Sequence, residues 1–162
     1  MSRRRAAQVR KISPDFRFRS VLLAKFINNV MERGKKTLAC SIVYGALDTV
    51  QTKYGLEAKT TFEKAVENVR PFLEVKSVRV GGSNYQVPFS LEERRSTILA
   101  LRWIIKAAKN RAENSMVLKL AEEFFEAANG RGGAVKMKDD AHKMAEANRA
   151  FAHFSRKKAP TS

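Results

Sequence analysis

Lys76 and Arg79 stand three residues apart in the β-branched stretch Val75-Lys76-Ser77-Val78-Arg79-Val80, and Tyr85 follows across Gly81-Gly82-Ser83-Asn84. Two cations and a ring on a narrow ribbon could contact phosphates and stack on a base. The odd spacing puts the cations on opposite faces of a regular strand. A plainer reading stays open, in which Tyr85 covers the apolar base of the ribbon and both charges are solvated. Other basic groups flank the ribbon: Arg94, Arg95 and Arg102 after it, Lys35-Lys36 well before it, and Arg3, Arg4, Arg5, Arg10 and Lys11 near the start. Phe16, Phe18 and Trp103 suit a core at least as well as a base stack.

Residue types that could do covalent or metal chemistry are sparse. His142 and Glu146 share one helical face at a spacing of four, but no third ligand accompanies them and His153 is the only other histidine, so no metal site is expected. Cys40, between Leu38 and Ile42, is expected to be a buried, inert thiol. Gly81-Gly82 lacks the lysine and spacing of a phosphate-binding loop. The carboxylates alternate with Lys and Arg as on a solvated face. No catalytic residue and no cofactor is expected, and the chain does not read as an enzyme.

The composition agrees with a binding role. The 162 residues carry 32 Lys+Arg against 16 Asp+Glu, a formal net charge of +16, with 44% hydrophobic residues. A domain of this size buries roughly two-thirds of its unfolded surface, so a core is expected. The single cysteine excludes an internal disulfide or Cys-rich zinc module and suits a reducing compartment. No apolar run reaches the ~20 residues needed to span a bilayer, and the basic start lacks a following apolar stretch, so neither a membrane-spanning nor a secreted protein is expected. The charge favours a polyanion, with nucleic acid first and anionic lipid or a halo of counterions as alternatives.

The elements that must position these residues are mainly α: six helices and one protruding β-hairpin, with basic flexible termini. Residues 1–19 read as a basic arm, 20–154 as one helical domain and 155–162 as a basic tail. Ser20 caps a first helix bearing Leu22, Leu23, Phe26, Ile27 and Val30, with Gly34 at its end; a second runs from about Thr37 to Tyr54 with Leu38, Ile42, Val43, Leu47 and Val50 inward and Gly55 as its stop. Thr60-Thr61-Phe62-Glu63 predicts a capping box and Pro71 the end of a third helix. The hairpin spans about 73–89, with Pro88 confining it to a ribbon or an edge. Ser90-Leu91-Glu92-Glu93 predicts another capping box opening the longest helix, with Ile98, Leu101, Ile105 and Ala108 inward and Arg95, Arg102, Lys106 and Lys109 elsewhere. Asn114 or Ser115 caps a fifth helix ending at Asn129-Gly130, and a sixth runs from Gly132-Gly133 to about Phe154.

The hairpin, Glu74 to Pro88, resembles the signature of the small-subunit ribosomal protein seven family, bacterial type. Matching stretches follow in the family's order: Leu23-Ala24-Lys25-Phe26, Gly34-Lys35-Lys36, Glu67-Asn68-Val69-Arg70-Pro71, Ala100-Leu101-Arg102-Trp103, Gly133-Ala134-Val135-Lys136, and His142 through His153. The resemblance covers Arg3 to Phe154. It implies a helical domain with a β-ribbon that binds small-subunit ribosomal RNA, nucleates assembly of the subunit's head, and brings the ribbon near exit-site transfer RNA. It also implies neighbours among the ribosomal proteins, nine and eleven included, and a place in the cytoplasmic ribosome. The basic arm, Lys35-Lys36, Lys76, Arg79, Arg94, Arg95 and Arg102 match the family's RNA-facing segments, and Lys25, Lys136, Lys143 and Arg149 fall inside matching stretches. Gly81, Gly82, Ser83 and Asn84 form the ribbon's tip. Where the family usually reads Pro-Asp-Pro-Lys-Phe-Gly, this chain has Pro14-Asp15-Phe16-Arg17-Phe18-Arg19.

Two other classes remain in view. An architectural DNA-binding protein would carry an apolar wedge at the ribbon tip, whereas here the tip is Gly81-Gly82-Ser83-Asn84 and Pro88 lies back from it. A membrane-surface protein would need one strongly cationic helix face opposite bulky apolar residues, and the helix from Leu91 comes closest.

Overall fold

The computed structural model describes residue 8 and residues 10–158, with side chains as far as Phe154. Six α-helices and one antiparallel hairpin follow in the order α1 (Val21–Val30), α2 (Lys36–Tyr54), α3 (Ala58–Val69), β1 (Leu73–Val80), β2 (Ser83–Ser90), α4 (Glu93–Lys109), α5 (Met116–Ala128) and α6 (Gly133–Ala147), then a 3-10 segment, Arg149–Lys158. The described residues form two compact units, divided after Ser41 within α2. The chain is mainly α with one hairpin, as its periodicity predicts.

In the first unit, Ser20 caps α1 by accepting from the Leu23 N–H, and Leu23, Phe26 and Ile27 are buried. Gly34 does not end this helix. Met31 is its C-cap, and Arg33 and Gly34, both at positive φ, form the turn that follows. Within the described part of the arm, Asp15 is buried and its carboxylate accepts from the N–H groups of Arg17 and Phe18, folding a local turn. Arg19 holds φ at 49°, at the position where the resembling pattern has glycine. The left-handed backbone is thus kept without the residue that adopts it freely.

In the second unit α3 packs on α5 and α4, and α4 packs on α5 and α6. Its core is fully buried Val43, Leu47, Val50, Phe62, Val66, Leu101, Ile104, Leu120 and Phe124, with Phe62 and Phe124 edge to face at 5.5 Å. Several expected boundaries shift for physical reasons. Leu38, in the first unit, is 54% exposed, whereas Ala39 beside it is buried. Helix α3 starts at Ala58, and the Thr60 and Thr61 hydroxyls donate back to the Glu57 carbonyl instead of forming a capping box. Ser90 is not a cap either, since it pairs with Leu73 at the end of β2, and α4 begins after Glu92 without a side-chain cap. Helix α2, not α4, is the longest. Ile98 and Ile105 are only half-buried; Ala100, Leu101, Ile104, Ala107 and Ala108 face the core. Helix α6 stops at Ala147 because Asn148 caps it, its side-chain amide donating to the Met144 carbonyl.

The hairpin has a two-residue turn. Gly81 and Gly82 take φ of 57° and 91°, the doubly positive pair that matches the twist of the strands. Its register pairs Val80 with Ser83, Val78 with Tyr85, Lys76 with Val87 and Glu74 with Phe89, so these eight side chains share one face. Helix α6 packs on β1 and the 3-10 segment on β2. Tyr85 lies 5.4 Å from the Phe151 ring and 5.2 Å from Phe154, while Val87 is fully buried.

Candidate nucleic-acid interface

All the expected RNA-facing cations among the described residues are exposed: Arg10, Lys11, Lys25, Lys35 and Lys36 in the first unit, and Lys76, Arg79, Arg94, Arg95, Arg102, Lys136, Lys143 and Arg149 in the second. Arg3, Arg4 and Arg5 lie outside the described residues. Only Lys76, Arg95 and Arg149 of this set pair with carboxylates, the first two with Glu74 and the last with Glu146. The others have no carboxylate partner among the described residues. An exposed cation without an internal partner can turn to a phosphate without first breaking an ion pair.

In the first unit, Lys35 and Lys36 stand at the N-terminus of α2, whose first turn holds no acid. Free backbone N–H groups and the helix dipole favour an anion there, and the two lysines add to that field. Phe16 does not join a core: it is 96% exposed. Phe18 is half-buried, with the Arg17 guanidinium 5.1 Å from its ring. Cys40 is half-buried, not fully buried, because the exposed side of α2 reaches as far as its neighbour Leu38.

In the second unit, Arg95, Arg102, Lys106 and Lys109 recur at steps of seven, four and three, which places them in one row on the exposed side of α4. The row spans about 20 Å at 1.5 Å per residue. Lys76 joins it through Glu74: its Nζ lies 2.5 Å from Glu74 Oε1, while Arg95 Nη2 and Nε donate to Oε2 at 3.2 and 3.3 Å. Burial pushes the Glu74 carboxyl up, but the two cations outweigh it and hold it below the ordinary range. Lys76 also lies 5.5 Å from the Phe89 ring. Arg79 points from the opposite face of β1, beside exposed Ser77, Asn84 and Gln86. Tyr85 is the covered residue of the plainer reading, engaged by Phe151 and Phe154. Trp103 is half-buried on α4.

His142 does not point to a metal. Its Nε2 accepts the Phe72 N–H at 3.0 Å, the two rings stack at 6.0 Å, and Glu146 binds Arg149. Among the described residues no group of three or more His, Cys, Asp or Glu could hold a metal ion, and no helix is long and apolar enough to cross a membrane.

The residue that sequence reasoning missed is Arg111. Its guanidinium donates to Glu113 at 3.0 Å, to Glu123 at 3.0 Å and to Glu126 at 2.7 Å, and these bonds, that to Glu126 foremost, raise its already high pKa despite burial. Glu123 is fully buried and also accepts the Ala134 N–H at the start of α6. This cluster ties α4's exit to α5 and to α6, which carries Lys136 and Lys143. Gly132 takes φ 94°, which strains any other residue, and a Cβ there would lie 3.1 Å from the carboxylate oxygens of Glu123 and Glu126, so the cluster would have to shift to admit it. The only signal in the sequence is a carboxylate pair inside the apolar run Leu120-Ala121-Glu122-Glu123-Phe124-Phe125.

Comparison with known proteins gives one consistent result. The family model described as Ribosomal protein S7p/S5e matches residues 2–149. The chain is 59% identical over 158 residues to the small ribosomal subunit protein uS7 of Rickettsia bellii, covering 98% of this chain and 97% of that protein. It is 57% identical to the protein of the same name from Rickettsia prowazekii, covering 98% and 99%.

Proposed function

The chain belongs to the ribosomal protein S7p/S5e family, and on that footing we propose that its exposed cations hold ribosomal RNA of the small-subunit head and nucleate the head's assembly. As a family member it is a structural constituent of the small ribosomal subunit, an RNA-binding protein of translation and not an enzyme. In the proposed arrangement the β1–β2 ribbon lies near exit-site transfer RNA, ribosomal proteins nine and eleven are neighbours, and the site of action is the cytoplasmic ribosome. The observation that carries the reading is the set of exposed cations without carboxylate partners among the described residues: Lys35 and Lys36 at the start of α2, Arg79 near the ribbon tip, and Arg94 and Arg102 on α4.

The mechanism is electrostatic and geometric. Each phosphate neutralised releases condensed counterions, which supplies affinity and makes it salt-dependent. Helices α3 to α6 fix the α4 row, and the ribbon extends the surface beyond the helices, so RNA shape more than base edges sets the preference. The N-terminal arginines would add further phosphate contacts. The test is to incorporate the Lys76→Ala, Arg79→Ala double variant into reconstituted subunits. Assembly with reduced exit-site transfer RNA occupancy is expected; normal occupancy would remove the ribbon from that role.

A further inference from the structure

Glu74 is a carboxylate set into the proposed RNA-facing surface of the ribbon and α4. Its side chain is 13% exposed, while Lys76 and Arg95 beside it are 55% and 49% exposed. The two oxygens are held differently: Oε2 accepts two N–H groups of Arg95 from α4, whereas buried Oε1 has Lys76 of the same strand at ion-pair distance and accepts no hydrogen bond. Arg95 is the third residue of α4, where the helix dipole disfavours a cation, and Arg94 precedes it. Two arginines in a first helical turn break the local rule, and such violations mark functional positions. A carboxylate placed to satisfy one of them offsets that conflict and also ties the strand to the helix.

Resting on the RNA-binding reading above, we propose that Glu74 is a positioning residue: it holds the Lys76 and Arg95 cations at a fixed separation, so that the ribbon and the head of the α4 row meet the RNA backbone as one preset surface. Lys76 is steadied from a second side by the Phe89 ring, leaving its ammonium directed by Glu74. An exposed lysine and arginine without such a clamp would each sample many rotamers and lose that freedom on binding. Glu74 therefore lowers net charge, which weakens attraction to any RNA, while sharpening the fit to one shape. The two effects have opposite signs, so overall affinity and preference for one RNA should move apart when Glu74 is changed.

The experiment uses the full chain and measures affinity for a head-region ribosomal RNA fragment and for unrelated structured RNA, with the thermal midpoint of each variant alongside. Glu74→Gln removes the charge and keeps the shape; Glu74→Asp keeps the charge and is one methylene too short to reach both cations. Both are expected to lower the preference for the head-region fragment about three- to tenfold, the size of coupling between groups in contact, and Glu74→Gln should bind unrelated RNA at least as well as the parent. In a Lys76→Ala, Arg95→Ala background the effect of Glu74→Gln on preference should vanish. A preference unchanged in Glu74→Asp, or affinities for both RNAs rising by the same factor in Glu74→Gln, would overturn the positioning role. A parent chain with no preference would overturn the RNA reading beneath it, and the inference with it.

Discussion

At the scale of single residues, stability and binding rest on different charges. Arg111 is the structural one: truncating it leaves Glu123, with a side chain 1% exposed, short of its cation. Arg111→Met should cost about 3 kcal/mol, the penalty for breaking a buried pair, read as a lower urea midpoint. Lys76 and Arg79 are the pair proposed to bind RNA. Their joint replacement by alanine should shift stability by about 1 kcal/mol or less, because Glu74 loses Lys76 but keeps Arg95, while the slope of log affinity against log salt becomes shallower by about 1 for each phosphate that is no longer neutralised. Acid response follows from Glu122, whose carboxyl is held low by hydrogen bonds from Lys53 and Tyr54, and from Glu74. Because these folded-state values lie below the ordinary 4.5, their contribution is complete above that pH and is lost as the pH falls through the depressed range. Glu122→Gln should flatten the acid limb of a thermal-midpoint profile between about pH 5 and 3. Surface cations were readable from residue type alone, and all the expected ones among the described residues are exposed. Arg111 was not, because its partners Glu123 and Glu126 lie 12 and 15 residues away and only packing joins them.

Among the elements, the hairpin is held by its turn and by what lies on it. Gly81→Val puts a β-branched residue at φ 57° and should destabilise the ribbon by about 1–2 kcal/mol, whereas Gly81→Asn, a residue tolerant of that region, should cost much less; hydrogen exchange of the β1 and β2 amides reads the difference. Removing residues 149–162 strips Phe151 and Phe154 from Tyr85 and should raise exchange along β2 more than along α4. The hairpin, its turn and the six helices were legible because Gly-Gly between β-branched runs and 3.6-residue apolar stripes are local signals. Helix starts were less so. Thr60, Thr61 and Ser90 have the chemistry of caps, but burial of Ala58 and Phe62 extends α3 backwards and pairing with Leu73 keeps Ser90 in the strand. The early stop of α6 was signalled by Asn148, whose capping role is invisible to an apolar-periodicity count.

For the molecule as a whole, a net charge of +16 sets a strong, sequence-independent attraction to RNA, and the question is how much the arrangement of cations adds. If the arm adds to the first term, as its arginines lead one to expect, deleting residues 2–11 should weaken RNA binding and flatten its salt dependence while leaving the thermal midpoint in place, and a sharply lower midpoint would show that the arm supports the fold. The most direct measurement is filter binding of the intact protein to a head-region fragment of small-subunit ribosomal RNA across a salt series, with equal masses of unrelated structured RNA and duplex DNA as competitors. Affinity that falls with salt while the preference for the ribosomal fragment survives both competitors is the expected result. Equal displacement by all competitors at every salt would contradict it, reducing the exposed cations to a generic polycation.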